Sequence, residues 1–512
     1  MMSISVLSLC GSVEGTIVVN ALPTISADLG GSDLYIWIPN AFFLASITAL
    51  PLYAQLSNIF GRRIVLLAAV ALFTIGCILC GASSSITMLI IARAVQGLGS
   101  GGVDTLCETV ILDLVPLRER GKYISFVSIG TTLGYTAGPF LGGLIIVKLG
   151  WPWIFYLSAI LSGISFIMFF CFLKVKHQRG QGLKAKMMRI DFGGNLIFIG
   201  AVVAVLLALT WAGPVYKWND TRIITPLVLG LLGLCAYIAF EWTPRLAPEP
   251  SFPRAIVSNR TSAAVLAMTL VNSITMYGTF YFLPVYFQGV LAKSPLGSGI
   301  ALAPVSALVV PFAVASGILL SKIGKYRPIH ALGWACTLLT VGLCSTLNHK
   351  SSAAAWAIFE VIGAIGLGAL SISLLPAIQA PLPESLTAAS AGSYSFARGF
   401  GAVWGVTIPS AVFNNAVKGK ANFITDPTLM SRLANGQAYQ LATKAFLDSI
   451  PSADSALRNQ IISIFEHAIH QVFYVLVAFA GLGLLLVLVE KEIVLRTENN
   501  TEFGLEESTN AD

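Results

Sequence analysis

An all-α, multi-pass membrane protein with fourteen spans is the fold class this sequence predicts, on three observations. Charge is scarce: of 512 residues, 56% are hydrophobic and 11% charged, against about 45–50% and about 25% in an ordinary soluble domain. Mean hydropathy is +0.80. The apolar residues gather into fourteen runs, each near the roughly 20 residues that cross a bilayer. Polar loops divide the runs, and their basic residues are unevenly shared between alternate loops. A disordered chain, a coiled coil and a water-exposed globular enzyme are excluded. The net charge of +7 is not gathered into a basic cluster with interleaved aromatics, so no nucleic-acid partner is expected.

In chain order the runs are 4–25, 35–56, 64–82, 86–112, 124–147, 153–173, 192–211, 223–240, 262–290, 298–320, 329–347, 353–379, 388–413 and 472–489. The first has no basic region before it and holds Glu14 near its middle, so it reads as a retained span and not a cleaved signal. With the N-terminus inside, the inner loops hold seventeen basic residues, among them Arg62, Arg63, Arg120, Arg189 and Lys325. The short outer loops hold five: Lys148, Lys217, Arg222, Lys293 and Lys350. That bias places both termini in the cytoplasm. Segment 414–471 then lies outside, and its helical-looking stretch 460–470 is expected to lie along the membrane surface.

An internal repeat divides the chain. Ala54 stands seven positions before Gly61, which is followed by Arg62 and Arg63, between spans two and three. Gly317 stands seven before Gly324, followed by Lys325, between spans ten and eleven. Parallel repeats of this kind mark the halves of many secondary transporters. Taking spans seven and eight as an insertion leaves two pseudo-symmetric six-helix bundles. The expected divisions are a first bundle over 1–175, a basic cytoplasmic loop over 176–190 and two inserted helices with a linker over 191–260. A second bundle over 261–490 includes the outer segment 414–471, and 491–512 forms a cytoplasmic tail.

An ionisable residue in hydrocarbon costs at least about 2.5–3.5 kcal/mol, so each one requires an interior explanation. The candidates are Glu14, Arg93, Asp104, Glu108, Glu360 and Arg398. On a helical wheel Asp104 falls about 20° from Arg93 and Glu108 about 60° from it. One face of span four is therefore polar and should line water or a partner helix. Asp104 and Glu108 are one turn apart, and two carboxyls so close in a poorly solvated site cannot both ionise freely. Proton coupling needs such a group, with Arg93 tuning it; the alternative is a static network in which Arg93 neutralises an acid. Glu360 is a further proton or cavity candidate. Arg398 fits either an anionic substrate group or an acid partner. Asn272, Tyr277, Tyr281, Phe282 and Trp404 are candidates for the substrate cavity.

Span five carries Gly130, Gly134, Gly138, Pro139, Gly142 and Gly143. Glycines four apart permit close helix contact, and the proline bends the helix. Cys77 and Cys80 form a CxxC without nearby His or acidic residues, which favours packing over metal or redox chemistry. No GxxxxGK[ST] occurs, so neither a nucleotide nor another cofactor is expected, and transport must draw on an ion gradient. The five histidines are scattered, which argues against a clustered catalytic site.

These residues together resemble the major facilitator superfamily, specifically its fourteen-span drug:proton antiporter branch of fungal type. The run from Glu14 to Pro23 matches the first-span signature, with Glu in place of the usual Asp. Asn58, Gly61, Arg62 and Arg63 look like the gating loop, with Asn58 where an Asp is expected; that substitution implies a weakened charged latch. Arg93, Gln96 and Gly97 match the span-four motif, whose arginine is linked to proton transfer. Gly134, Gly138, Pro139, Gly142 and Gly143 match the antiporter signature. Asp113 to Gly121 and Arg398 to Gly405 look like the fungal subgroup. The N-terminal tail is short beside that branch, as a truncated gene model would leave it.

The resemblance implies a major facilitator fold and alternating access. The expected function is export of small amphipathic or hydrophobic compounds, such as drugs, toxins or secondary metabolites, by proton antiport. Its partners are the lipid bilayer, a small-molecule substrate and protons, and the chain is expected to be monomeric and no enzyme. The expected location is the cell membrane, with the vacuolar membrane as the alternative. Proton-coupled uptake, for example of iron chelates, is the second reading, ahead of an intramembrane enzyme or a non-transporting sensor.

Overall fold

The computed structural model describes residues 2–29, 37–117, 119–120, 150–173, 189–212, 218–243, 245–247, 250–421, 426–433, 438–450 and 454–496, with isolated positions elsewhere. Thirteen long helices occur among them: α1 (Met2–Leu29), α2 (Trp37–Phe60), α3 (Arg62–Gly81), α4 (Ile86–Leu114), α5 (Pro152–Phe172), α6 (Phe192–Trp211), α7 (Thr221–Glu241), α8 (Arg260–Val285), α9 (Ala303–Ile323), α10 (Arg327–Cys344), α11 (Ala353–Gln379), α12 (Thr387–Lys420) and α13 (Ser455–Val489). Among the described residues, ten helices are long and apolar enough to cross a membrane. Span five is described only at isolated positions. The one β contact among the described residues is a bridge between Ala212 and Tyr216.

Polar residues at the run boundaries start the helices. Ser85, Asp191, Asp220, Asn259 and Ser352 each accept a main-chain N–H in the first turn of α4, α6, α7, α8 and α11. Gly61 (φ 91°) and Gly324 (φ 70°) make the two repeated turns, in a left-handed conformation that glycine adopts without strain. Large apolar side chains cover the outer surface, among them Leu196, Leu229, Ile300 and Leu488, at 60% exposure or more, as a lipid-facing surface requires.

The repeat extends to the helix contacts. In the first half α4 packs on α2 and α3, while α5 packs on α1 and α3. In the second half α11 packs on α9 and α10, while α13 packs on α8 and α10. The glycines repeat as well. A β-carbon on Gly130 or Gly134 would sit 2.5 Å from the Ser5 carbonyl oxygen or 2.7 Å from that of Leu9, on α1. On Gly401 or Gly405 of α12 it would sit 2.6 Å from the Leu270 oxygen or 2.7 Å from that of Ile274, on α8. Four-residue glycine spacing thus brings two backbones together twice. Gly138, Pro139, Gly142 and Gly143 lie outside the described residues. The inserted helices α6 and α7 pack on each other, and Phe198 of α6 reaches Phe396 of α12, with ring centroids 5.0 Å apart.

Three elements differ from the sequence expectations. Stretch 460–470 is no separate surface helix: α13 runs unbroken for 35 residues from Ser455. No proline interrupts it, and Ile461, Phe465 and Ala468 continue in phase with Val472 and Leu476, all fully buried. Span ten is broken at Leu302, between a short helix Pro295–Ala301 and α9, because Pro304 removes an N–H at the restart. Residues 491–496 of the expected tail, with Glu490 before them, fold back onto the bundle. Leu495 N donates to the Gly324 oxygen at 3.1 Å, Tyr326 donates its hydroxyl to the Lys491 carbonyl, and buried Glu490 pairs with buried His330 at 2.9 Å.

Candidate functional site at the contact between the halves

The two halves meet where α12 packs on α2 and α4. Contact is closest at the end of the bundle that carries the Gly61 turn, the last residues of α4 and α11 and the first of α12. There α12 is buried without interruption over 387–395, while from Phe396 onward buried and partly open positions alternate. A β-carbon on Gly392 would sit 2.8 Å from that of Ala54. Arg120, just beyond α4, donates to Gln379 of α11 at 2.7 Å, and Gln379 donates to Ser390 of α12 at 2.9 Å. Burial lowers the Arg120 guanidinium to about 10, against the pull of Asp113 and Glu384. It therefore stays charged at neutral pH. Its other hydrogens go to the Leu112 and Val115 carbonyls.

Deeper along the same contact stand the acids of span four. Glu108 Oε1 lies 3.0 Å from Arg398 Nη1 of α12, and Ser395 donates its hydroxyl to Glu108 Oε2 at 2.9 Å. The Arg398 guanidinium also lies over the Tyr394 ring, 5.4 Å from its centroid. Asp104, one turn earlier on α4, is solvent-accessible although each residue from Gly101 to Val103 and from Thr105 to Cys107 is buried. The charges of Arg398 and Glu108 act on Asp104, and Tyr277 of α8 feels both Asp104 and Arg398. Asp104 and Glu108 therefore face the second half of the molecule and not lipid. Of the two roles open to Arg398, pairing with an acid is the one the geometry contains. Its side chain keeps 42% exposure, so it can also meet a ligand.

Arg93 is placed elsewhere. It lies eleven residues before Asp104, about 16 Å along the helix axis, and is 2% exposed. Its Nε donates to the Ile38 carbonyl at 3.1 Å and its Nη1 to Gln96 Oε1 at 2.7 Å, with the Phe42 ring 4.2 Å away. Gln96 in turn donates to Cys77 Sγ at 3.0 Å and accepts from Cys80 Sγ at 3.5 Å. The CxxC thus packs into the Arg93 network. A shared wheel angle put Arg93 with the acids, but the rise per residue separates them, so tuning by direct contact does not occur. The Glu14 side chain lies outside the described ones.

The turn expected to gate carries a buried ion pair. Arg62 donates to Asn58 Oδ1 at 2.6 Å and pairs with Asp113 of α4 at 2.8 Å, both partners of the pair buried. The acid missing at position 58 is supplied from another helix. Arg63 reaches the Phe170 carbonyl of α5 at 2.6 Å. Among the cavity candidates, Tyr277, Tyr281 and Trp404 keep some accessibility and Asn272 is buried. Phe282 is no lining residue: it is fully buried against Phe413 and Tyr439, at 5.7 and 5.2 Å between ring centroids. Glu360 belongs to a different cavity, inside the second half. Ser395, Asp113 and Gln379 complete the site and escaped the sequence reading. Asp113 stood in a quoted motif, but its partner lies 51 residues away.

A paired acid and arginine between two repeats, sealed at one end, is the geometry of a transporter that rocks about a central site. The Major Facilitator Superfamily model matches residues 4–406. The chain belongs to this superfamily. The MFS-type transporter ucsD of Acremonium sp is 49% identical over 98% of this chain and 85% of that protein. Efflux pump FUS6 of Gibberella fujikuroi is 40% identical over 99% of this chain and 91% of that protein. The crystal structure of the human organic anion transporter MFSD10 (TETRAN) superposes with a TM-score of 0.58 at 12% identity, over 95% of this chain and 98% of that one. This last likeness concerns the fold. The protein is accordingly a multi-pass membrane transporter of the superfamily.

Proposed function

We propose that this transporter exports small amphipathic or hydrophobic organic compounds in exchange for protons, and that the structure is its outward-facing state. The observation that carries the reading is the Glu108–Arg398 pair across the halves, with accessible Asp104 beside it. The sealed end is the one rich in Lys and Arg, which the charge bias of the loops assigns to the cytoplasm, so Asp104 is reached from outside. A proton arriving there neutralises a carboxylate. When Glu108 takes it, the attraction to Arg398 is lost and the halves part at the cytoplasmic end. Substrate enters from inside, the proton leaves, and the pair re-forms as the transporter returns outward. Arg398, Tyr277, Tyr281 and Trp404 line the route, and Asn272 lies behind them. The relatives' names, which include efflux pump, favour this direction over uptake. We assign the chain to the cell membrane as a monomer, with both termini cytoplasmic and Gly134, Gly138, Pro139, Gly142 and Gly143 as the bend between conformations.

The test is efflux from loaded cells and vesicles of a panel of lipophilic dyes and fungal metabolites, with and without an imposed pH gradient. Wild type is expected to export with the gradient. Glu108→Gln should lose at least about 10-fold in gradient-driven rate, in line with removal of an essential proton site. Normal gradient-driven export by that variant overturns the coupling assignment.

A further inference from the structure

The second half contains a cavity that the export reading does not use. It lies between α8, α9, α10 and α11 and is walled by Met276, Phe280, Leu283, Val341 and Leu367, with four threonines and Glu360. Glu360 is 2% exposed. Its Oε2 accepts a long hydrogen bond from Val305 N at 3.4 Å, and its Oε1 has no hydrogen-bond partner. The threonines do not supply one. Thr275, Thr279, Thr337 and Thr340 each donate their hydroxyl proton to a main-chain carbonyl of their own helix, at 2.8–2.9 Å. Among the described residues no cation comes within ion-pair distance of Glu360. The nearby ammonium of Lys293 sits instead on the Trp356 ring, 4.4 Å from its centroid, one turn before Glu360 on α11.

The repeat sharpens the anomaly. Glu360 is the eighth residue of α11, as Arg93 is the eighth of α4. Arg93 meets the main chain at Ile38, at the start of the second helix of its half; Glu360 meets it at Val305, at the start of α9. In the first half the protein itself places a cation in this slot. In the second half the slot holds an acidic side chain with one long hydrogen bond, in a largely apolar chamber. A buried carboxylate oxygen without a donor is costly, and a native structure that keeps one requires a reason.

We propose that this chamber is a binding site for a small organic ammonium ion, its N–H groups on Glu360 and its hydrocarbon part against Met276, Phe280, Leu283 and Leu367. The surface the wall presents is mostly hydrocarbon, which favours an organic cation over an inorganic ion that needs several oxygen ligands. The site is separate from the Glu108–Arg398 contact, so it stands whether or not protons drive export.

The experiment is calorimetric titration and thermal unfolding of the full chain in lipid nanodiscs, with n-butylammonium chloride, 1-butanol and sodium chloride. Butylammonium is expected to bind saturably and raise the melting temperature by several degrees, and butanol is expected not to. Glu360→Gln should weaken butylammonium binding at least about 10-fold, with Glu360→Asp intermediate, while Glu108→Gln binds as wild type. Leu367→Trp fills the chamber and should also abolish binding, which keeps the test open should Glu360→Gln not fold. No saturable binding by wild type overturns the proposal. So does binding lost in Glu108→Gln and kept in Glu360→Gln, or a Glu360-dependent response to sodium alone.

Discussion

The two halves share helix order, helix contacts and glycine seams, yet they house charge differently. In the first half Arg62 and Arg93 are buried, each held by acceptors from another helix. In the second half the corresponding turn carries Lys325, which is exposed, and the corresponding slot carries Glu360, which has a single long hydrogen bond. The lesson is that pseudo-symmetry here belongs to the backbone. At these two matched places the first half's charges serve its own cohesion, and the second half leaves one acid, Glu360, for something else to meet.

Six substitutions break or sharpen this contrast. The largest expected effect is at Arg62→Leu, which strands buried Asp113 and should destabilise by about 3–5 kcal/mol, read as a drop in melting temperature in nanodiscs. Arg93→Leu should follow at about 2–4 kcal/mol, since Gln96 and the Ile38 carbonyl lose a charged donor. Glu360→Gln, at the matching place, should be neutral or stabilising under the same measurement without amine; a loss equal to that of Arg93→Leu would erase the contrast. The glycine seam tests what the halves hold in common. Gly401→Val drives a side chain into the Leu270 carbonyl and should cost about 1–3 kcal/mol, with Gly130→Val matching it across the repeat. Lys325→Ala completes the series at under about 0.5 kcal/mol, against the large loss at Arg62.

Much of this was legible in the sequence. The apolar runs foretold the helices because hydrocarbon leaves the backbone few other choices. The inward face of Asp104 and Glu108 was readable from helical period. Axial separation is not visible on a wheel, which is why Arg93 was grouped with acids about 16 Å away. The fate of 460–470 was hidden for a related reason: an amphipathic stretch looks alike whether its apolar face meets lipid or Phe446 and Phe413.

By itself the sequence determined which runs must leave water, since that depends on transfer energies summed over neighbours in the chain. Tertiary structure alone decided partners: that Asp113 answers Arg62, that Arg398 closes on Glu108, and that Glu360 meets Val305 N alone in its chamber. Such pairings join residues 51, 290 and 55 positions apart. Their geometry is set by how helices pack, and no local pattern encodes it.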